Sequence, residues 1–462
     1  LSADRPRIVI AGNRSGVGKT TLTLALVVSL KRKGLTVQTY KVGPDFLDPT
    51  WLSLASGRPC YNLDGWMSGE EYVRNLFSRT SADADIAVIE GVMGLFDGAP
   101  DSSPDGSTAE IARWLNAPVL LVADAHGMSR SLAALVKGYA GFEAGVHIAG
   151  VIANNCGSER HGSVLKSALR TAGCPPLLGT VPRGSVPELE SRHLGLVTAG
   201  PMNASRELFC SLANACDRFM DPEKIVQAAL RAAPLRVSAP ASRNDRHPAV
   251  RLGIARDSAF HFYYQDLLDE LAARGCSMEF FSPLSDAHLP EQLDGLYLGG
   301  GYPEAYAAEL SANESLLSEV RTFASTGRPV YAECGGLMFL SRGIETLDHM
   351  NFPMAGILPA ASRMLERRKA MGYVESLLER DSLWGIRGMV LRGHEFHYSE
   401  LTGDPAVQNG WNNAYSLRKL SSDTGRLEGY QHGNILASYV HQHLASRPDA
   451  LDRFIDLCRG TA

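Results

Sequence analysis

Arg7-Ile8-Val9-Ile10-Ala11-Gly12-Asn13-Arg14-Ser15-Gly16-Val17-Gly18-Lys19-Thr20-Thr21 is the stretch that decides the fold. Its apolar opening reads as a strand, a turn with three glycines follows, and Leu22 to Leu30 has the length and spacing of a buried helix. Gly12, Gly16 and Gly18, with Val17 between the last two, let backbone N–H groups close on an anion without obstruction by a Cβ. The helix N-terminus that follows adds partial positive charge. In such a phosphate loop Lys19 would reach the β- and γ-phosphates of ATP and Thr20, followed by Thr21, would set its hydroxyl on Mg²⁺. The strict pattern G-x-x-x-x-G-K-[ST] is missed by one position, because Asn13 stands where the first glycine belongs.

Outward from this loop, Val37 to Lys41 reads as a second strand. Gly43-Pro44 then breaks the backbone, so Asp45 and Asp48 are expected in a loop at the edge where the phosphate loop opens. Lys41 and the two carboxylates suit metal coordination and charge neutralisation beside a triphosphate; a surface turn stabilised by an aspartate is the other reading. Ile86-Ala87-Val88-Ile89-Glu90 is a short apolar strand ending in an acid, the form of a Walker-B element, with Glu90 placed for Mg²⁺ and Asp97 on the glycine-rich loop beyond. The metal set expected is therefore Thr20, Asp45, Asp48 and Glu90. Strands at 119–123, 147–153 and 178–181 alternate with helical segments at 107–116 and 129–141, which predicts a parallel, doubly wound sheet. Asn154, at the end of one strand, would read a purine edge or cap the next turn.

With 462 residues and 45% hydrophobic residues the chain is long enough for two or three cored domains, and a formal charge of −5 gives no basis for nucleic-acid binding. Its eight cysteines are scattered without a C-x-x-C pair, so neither a zinc ribbon nor a disulfide framework is indicated. No signal-like segment or membrane-length apolar run is present, and cytoplasmic location is the expectation. Residues 233–248 gather Pro, Ser and charge and read as a linker between a phosphate-loop domain at 1–232 and a second domain at 249–462.

Chemistry in the second half centres on Pro329-Val330-Tyr331-Ala332-Glu333-Cys334-Gly335-Gly336. An apolar strand delivers Cys334 to a sharp turn before a helix, a nucleophile elbow with sulfur in place of oxygen, and the helix N-terminus is expected to lower the thiol pKa. Gly300 and Gly301, in Gly299-Gly300-Gly301-Tyr302-Pro303-Glu304, would build an oxyanion hole with the Gly335 N–H. His441 and His443, far downstream in Tyr439-Val440-His441-Gln442-His443, are candidate bases. Gly393-His394-Glu395-Phe396-His397-Tyr398 reads as a polar strand or a substrate-contact loop.

Taken together, Gly12 to Thr20, Lys41 to Pro49, Asn62-Leu63-Asp64, Glu90 to Gly98, Gly299 to Glu304, Glu333 to Met338 and Gly393 to Ser399 resemble, in this order, the cobyrinic acid a,c-diamide synthase family. The resemblance spans nearly the whole chain. It implies an α/β protein of two domains, a dethiobiotin-synthetase-like P-loop NTPase and a class I glutamine amidotransferase, acting as a monomer or homodimer on small molecules. The implied reaction is ATP- and glutamine-dependent amidation of the a and c side chains of cobyrinic acid through acyl phosphates, with hydrogenobyrinic acid or Ni-sirohydrochlorin as alternative tetrapyrroles. A partitioning or membrane-cycling ATPase of the ParA or MinD type is the rival from another class, and it leaves the C-terminal half without a purpose. The chain departs from other class I glutaminases after His441, where Gln442-His443 replaces Pro-Glu. The expectation is that no carboxylate orients His441, which the Tyr-Val-His context favours as base over His443.

Overall fold

Ile8, Val9, Ile10 and Ala11 are small or β-branched and wholly apolar, and in the computed structural model they lie in the fully buried strand Arg7–Gly12 (β1). The structure describes residues 2–3, 5–99, 103–189, 191–192, 195–196, 205–236, 249–420 and 425–461. A strand buried on both faces belongs inside a parallel sheet. Val37–Val42 (β2), Tyr61–Leu63 (β3), Ile86–Glu90 (β4), Val119–Asp124 (β5), Ile148–Cys156 (β6) and Leu177–Pro182 (β7) complete a seven-stranded sheet in the order β3-β2-β4-β1-β5-β6-β7. Each neighbouring pair is parallel. The chain leaves β1 toward one edge through β2 and β3 and later runs to the other through β5, β6 and β7. That makes the carboxyl end of β1 a topological switch point, where α/β sheets bind ligands.

Helix Lys19–Arg32 (α1) follows β1 across the phosphate loop. Two local features differ from expectation. The strand read over 147–153 continues to Cys156, so Asn154 and Asn155 lie within β6. Asp48 is not a loop residue: it opens helix Asp48–Ser56 (α2), with Pro49 in the first turn, where its fixed φ suits the helix and its missing N–H is no loss. Asp45 Oδ1 accepts the N–H groups of Leu47 and Asp48 at 2.7 and 3.1 Å and so ties down that turn.

Helix Thr108–Trp114 (α3) holds a buried acid, Glu110, whose Oε2 accepts the Gly106 N–H at 2.9 Å. Burial, helped by Asp105 and Asp64 and opposed by the Gly106 N–H, raises its pKa from 4.5 to about 7. Because the folded pKa is the higher one, the native state binds more protons between those values. This group's stabilising contribution is complete below 4.5 and is lost as pH rises through 7. Glu110→Gln is therefore expected to melt above the parent at about pH 8 and to lose that advantage at about pH 5, as read by thermal denaturation at the two pH values.

The chain divides into two compact units, Leu1–Ala241 and Ser242–Ala462; from residue 237 the linker read at 233–248 lies outside the described residues. In the second unit Val250–Ala255 (β8), Cys276–Phe281 (β9), Gly295–Leu298 (β10), Val330–Glu333 (β11) and Ile435–Ser438 form parallel neighbours in the order β9-β8-β10-β11 and then 435–438. The sheet goes on antiparallel through Gly425–His432, Asn412–Lys419, Ala370–Leu378 and Val390–His397 to His441–Gln442. His441 follows Ser438 closely in the chain, so this part curls back on the segment it started from and lays Gly393 and His394 against Gln442 and His441. Among the described residues no helix is long and apolar enough to cross a membrane.

Candidate active site

In the first unit the phosphate loop leaves β1 at Gly12, where a Cβ would stand 2.7 Å from Val17 Cγ1 and 2.9 Å from the Arg14 carbonyl oxygen. That close approach explains the shifted motif: the glycine is needed one position early. Asn13, in its place, uses its side chain to accept the Asp124 N–H at 3.2 Å. Gly16 and Gly18 adopt left-handed φ of 71° and 95°, Gly18 as the residue before α1, and Thr21 is half-buried in the first helical turn. Lys19 Nζ donates to the carbonyls of Met93 at 2.5 Å and Arg14 at 3.4 Å. Asn154 Nδ2 donates to the Val17 carbonyl at 2.8 Å, so its amide braces the loop.

Beside the loop, Lys41 Nζ lies 2.6 Å from Asp48 Oδ2 and 2.8 Å from Glu90 Oε1, with Glu90 wholly buried. Thr20 Oγ1 donates to Glu90 Oε1 at 2.5 Å and lies 3.4 Å from Asp48 Oδ2. The other Glu90 oxygen, Oε2, is buried without a hydrogen-bond partner. Burial works against the charge of Lys41, yet Asp48, Glu90 and Asp45 outweigh it and hold its pKa above the usual range. Burial would raise Asp48, but Lys41 keeps it below the usual carboxylate range. Glu90 is raised by burial and by Asp48 against the pull of Lys41, and Asp45 by burial and by Asp48. Burial and Lys41 bring Lys19 down to about 8. Asp97 accepts the Gly94 N–H at 2.9 Å and shapes the loop after β4. The structure thus gathers Thr20, Lys41, Asp48 and Glu90, with Asp45 one step behind them. Among the described residues no three His, Cys, Asp or Glu side chains form a set that could hold a metal unaided.

In the second unit Cys334 follows β11 with φ 47° and ψ −98°, and helix Gly335–Leu340 begins at the next residue. A non-glycine residue at positive φ stores roughly 1–3 kcal/mol; the Cys334 N–H bond to the Ser438 carbonyl at 2.7 Å helps fix it. Gly300 and Gly301 form a two-residue strand against Phe260–Phe262. A Cβ on Gly335 would stand 3.0 Å from the Gly301 nitrogen, which puts the three expected oxyanion-hole glycines side by side; a Cβ on Gly300 would stand 2.5 Å from His441 Cε1. The thiol differs from expectation. Burial first, then Glu304 and Glu333, push its pKa well up, outweighing the Gly335 N–H at the head of a short helix. The expectation that no carboxylate meets His441 is also corrected, because Glu333 Oε2 lies 3.6 Å from His441 Nδ1. His443 is engaged elsewhere, its Nε2 3.4 Å from Asp266 Oδ2 and its Nδ1 3.1 Å from Ser446 Oγ.

Residues 8–197 match the CobQ/CobB/MinD/ParA nucleotide binding domain, and residues 251–449 the CobB/CobQ-like glutamine amidotransferase domain. A protein of Syntrophotalea carbinolica named cobyrinate a,c-diamide synthase is 57% identical over 98% of this chain and 99% of its own. The chain belongs to the cobyrinate a,c-diamide synthase family. Proteins of the same name from Leptospira interrogans and Archaeoglobus fulgidus are 46% and 40% identical, each match covering 98% of both chains. As a member of this family the chain is a ligase with glutamine as amide donor, built from a nucleotide-binding and a glutamine amidotransferase domain. The second match leaves the partitioning-ATPase reading without an account of the C-terminal half. Glu333 was missed as a partner of His441. Its signal was present, a glutamate ending the apolar strand Val330-Tyr331-Ala332, but only the fold brings His441 to it.

Proposed function

We propose that this enzyme amidates the a and c acetate side chains of cobyrinate, each through an acyl phosphate, with nitrogen taken from glutamine and energy from ATP. The observation that carries the reading is that one chain holds both a phosphate loop beside the Lys41–Asp48–Glu90 cluster and a cysteine elbow whose preceding residue, Glu333, lies 3.6 Å from His441. A carboxylate oxygen of the substrate attacks the γ-phosphorus and ADP leaves; ammonia then attacks the acyl carbon and phosphate leaves. Lys19, fixed by two backbone carbonyls, and Lys41, fixed by two carboxylates, hold positive charge where the phosphoryl group moves.

Thr20, Asp48 and Glu90 fit a site for Mg²⁺, since Glu90 keeps a buried oxygen without a hydrogen bond and this ion takes only one or two carboxylates beside phosphate oxygens. Bound there, the ion would neutralise charge on the transferred phosphoryl group. Asp45 holds the α2 turn that presents Asp48.

In the glutaminase half the raised thiol pKa supports a general-base route over a standing thiolate. As sulfur attacks the amide carbon of glutamine, its proton passes to His441 and on to the departing ammonia; water then hydrolyses the thioester to glutamate. Gly300, Gly301 and Gly335 offer backbone N–H groups to the developing oxyanion. Incubating the protein with ATP, Mg²⁺, glutamine and cobyrinate, hydrogenobyrinate or Ni-sirohydrochlorin tests the reading by product mass. Two hydroxyl-to-amine replacements on cobyrinate are expected, and amidation of only another tetrapyrrole would overturn the substrate assignment.

A further inference from the structure

We propose that Glu333, the residue before Cys334, is the positioning residue for His441, taking the place of the carboxylate that Gln442-His443 does not supply. This rests on the reading of Cys334 and His441 as the glutaminase pair. Glu333 ends β11, where its register partner in the neighbouring strand is Ser438, three places before His441. From there its Oε2 reaches to 3.6 Å from His441 Nδ1, both side chains being buried. Tyr331, two residues back on the same face, donates its hydroxyl to Oε1 at 2.6 Å, and Tyr297, its register partner in β10, donates to Oε2 at 2.9 Å.

A buried carboxylate needs such donors, and two hydroxyls fill only part of its capacity to accept. His441 is held from other sides as well: the His394 ring stacks on it with centroids 5.0 Å apart and planes at 21°, and Gly300 leaves room for Cε1. With Glu333 facing Nδ1, the imidazole keeps its proton on that nitrogen and Nε2 is the basic one. The same carboxylate stabilises the imidazolium that forms when the thiol proton arrives. The 3.6 Å separation is longer than a hydrogen bond, as resting catalytic pairs often are, and it is expected to shorten when His441 gains charge. His443, with a carboxylate at one ring nitrogen and a hydroxyl at the other, has neither to offer a thiol.

The test is Glu333→Gln in the full chain, which keeps the size of the side chain and removes its charge. With glutamine, kcat is expected to fall about 10- to 10²-fold while KM for glutamine stays within about twofold. The ammonia-dependent rate, measured on the same preparation, is expected to stay within about twofold and to report that the protein is folded. Nitrogen-15 spectra, with the His441 signals assigned by their loss in His441→Ala, should show its Nδ1 no longer predominantly protonated in the variant. An unchanged glutamine-dependent kcat, or an equal fall with both nitrogen sources in a folded protein, would overturn the proposal. Should Glu333→Gln not fold, Tyr297→Phe removes one hydroxyl that steadies Oε2. It is then expected to lower the glutamine-dependent kcat about three- to tenfold with ammonia unaffected, and no change would overturn the proposal. His441→Ala separates the two levels. If it leaves glutamine use intact, the glutaminase reading fails; if it abolishes glutamine use and Glu333→Gln does not lower it, only the positioning role fails.

Discussion

Cys334→Ser is expected to lower glutamine-dependent amidation at least about 10²-fold and to leave ammonia-dependent amidation in place. The substitution keeps the volume and the elbow, so the bond from the residue 334 N–H to the Ser438 carbonyl and the positive φ persist. What changes is the nucleophile. A serine hydroxyl ionises far less readily than a thiol, and the surroundings already disfavour an anion here through burial and the charges of Glu304 and Glu333. On the proposed route free ammonia needs no thiol, since it would attack an acyl phosphate made at the phosphate loop. His441→Ala should reproduce the split and His443→Ala should not. Steady-state rates with each nitrogen source decide the matter: equal loss of both in folded Cys334→Ser would mean that the cysteine does not serve glutamine hydrolysis.

What the sequence reveals is what neighbouring residues encode. The run from Arg7 to Thr21 carries its strand, turn and helix start in contiguous chemistry, and the structure forms β1 and α1 there. The strand and sharp turn around Cys334 are legible for the same reason. Asp48 reads as loop in the sequence because the breaker Gly43-Pro44 outweighs Asp48-Pro49, a carboxylate followed by proline in a first helical turn. The direction of the thiol pKa is not legible in the sequence, because a helix N-terminus is local and visible, whereas burial and the charge of Glu304 come from the fold. Glu333 and His441 meet only because β11 pairs with the strand that ends just before His441. No spacing rule carries that contact.

Lys19→Ala is expected to stop amide formation from glutamine and from ammonia alike, a loss of about 10³-fold or more, because on the proposed route phosphoryl transfer precedes both and relies on fixed positive charge. The lysine is held where it stands by the Met93 and Arg14 carbonyls, and no side chain among the described residues forms an ion pair with it. Asp48 and Glu90 are paired instead with Lys41. Removing Lys19 therefore leaves the ion pairs of Lys41 with Asp48 and Glu90 in place and takes away only its longer-range attraction to Glu90, Asp48 and Asp97, so the melting temperature is expected to change little. Relief from burying a cation that burial and Lys41 already disfavour offsets part of the lost packing. The two readouts together isolate the chemistry: both rates lost in a protein that melts like the parent assigns Lys19 to the transferred phosphoryl group. Ammonia-dependent amidation near the parent rate would remove the phosphate loop from the reaction, and with it the acyl phosphate route.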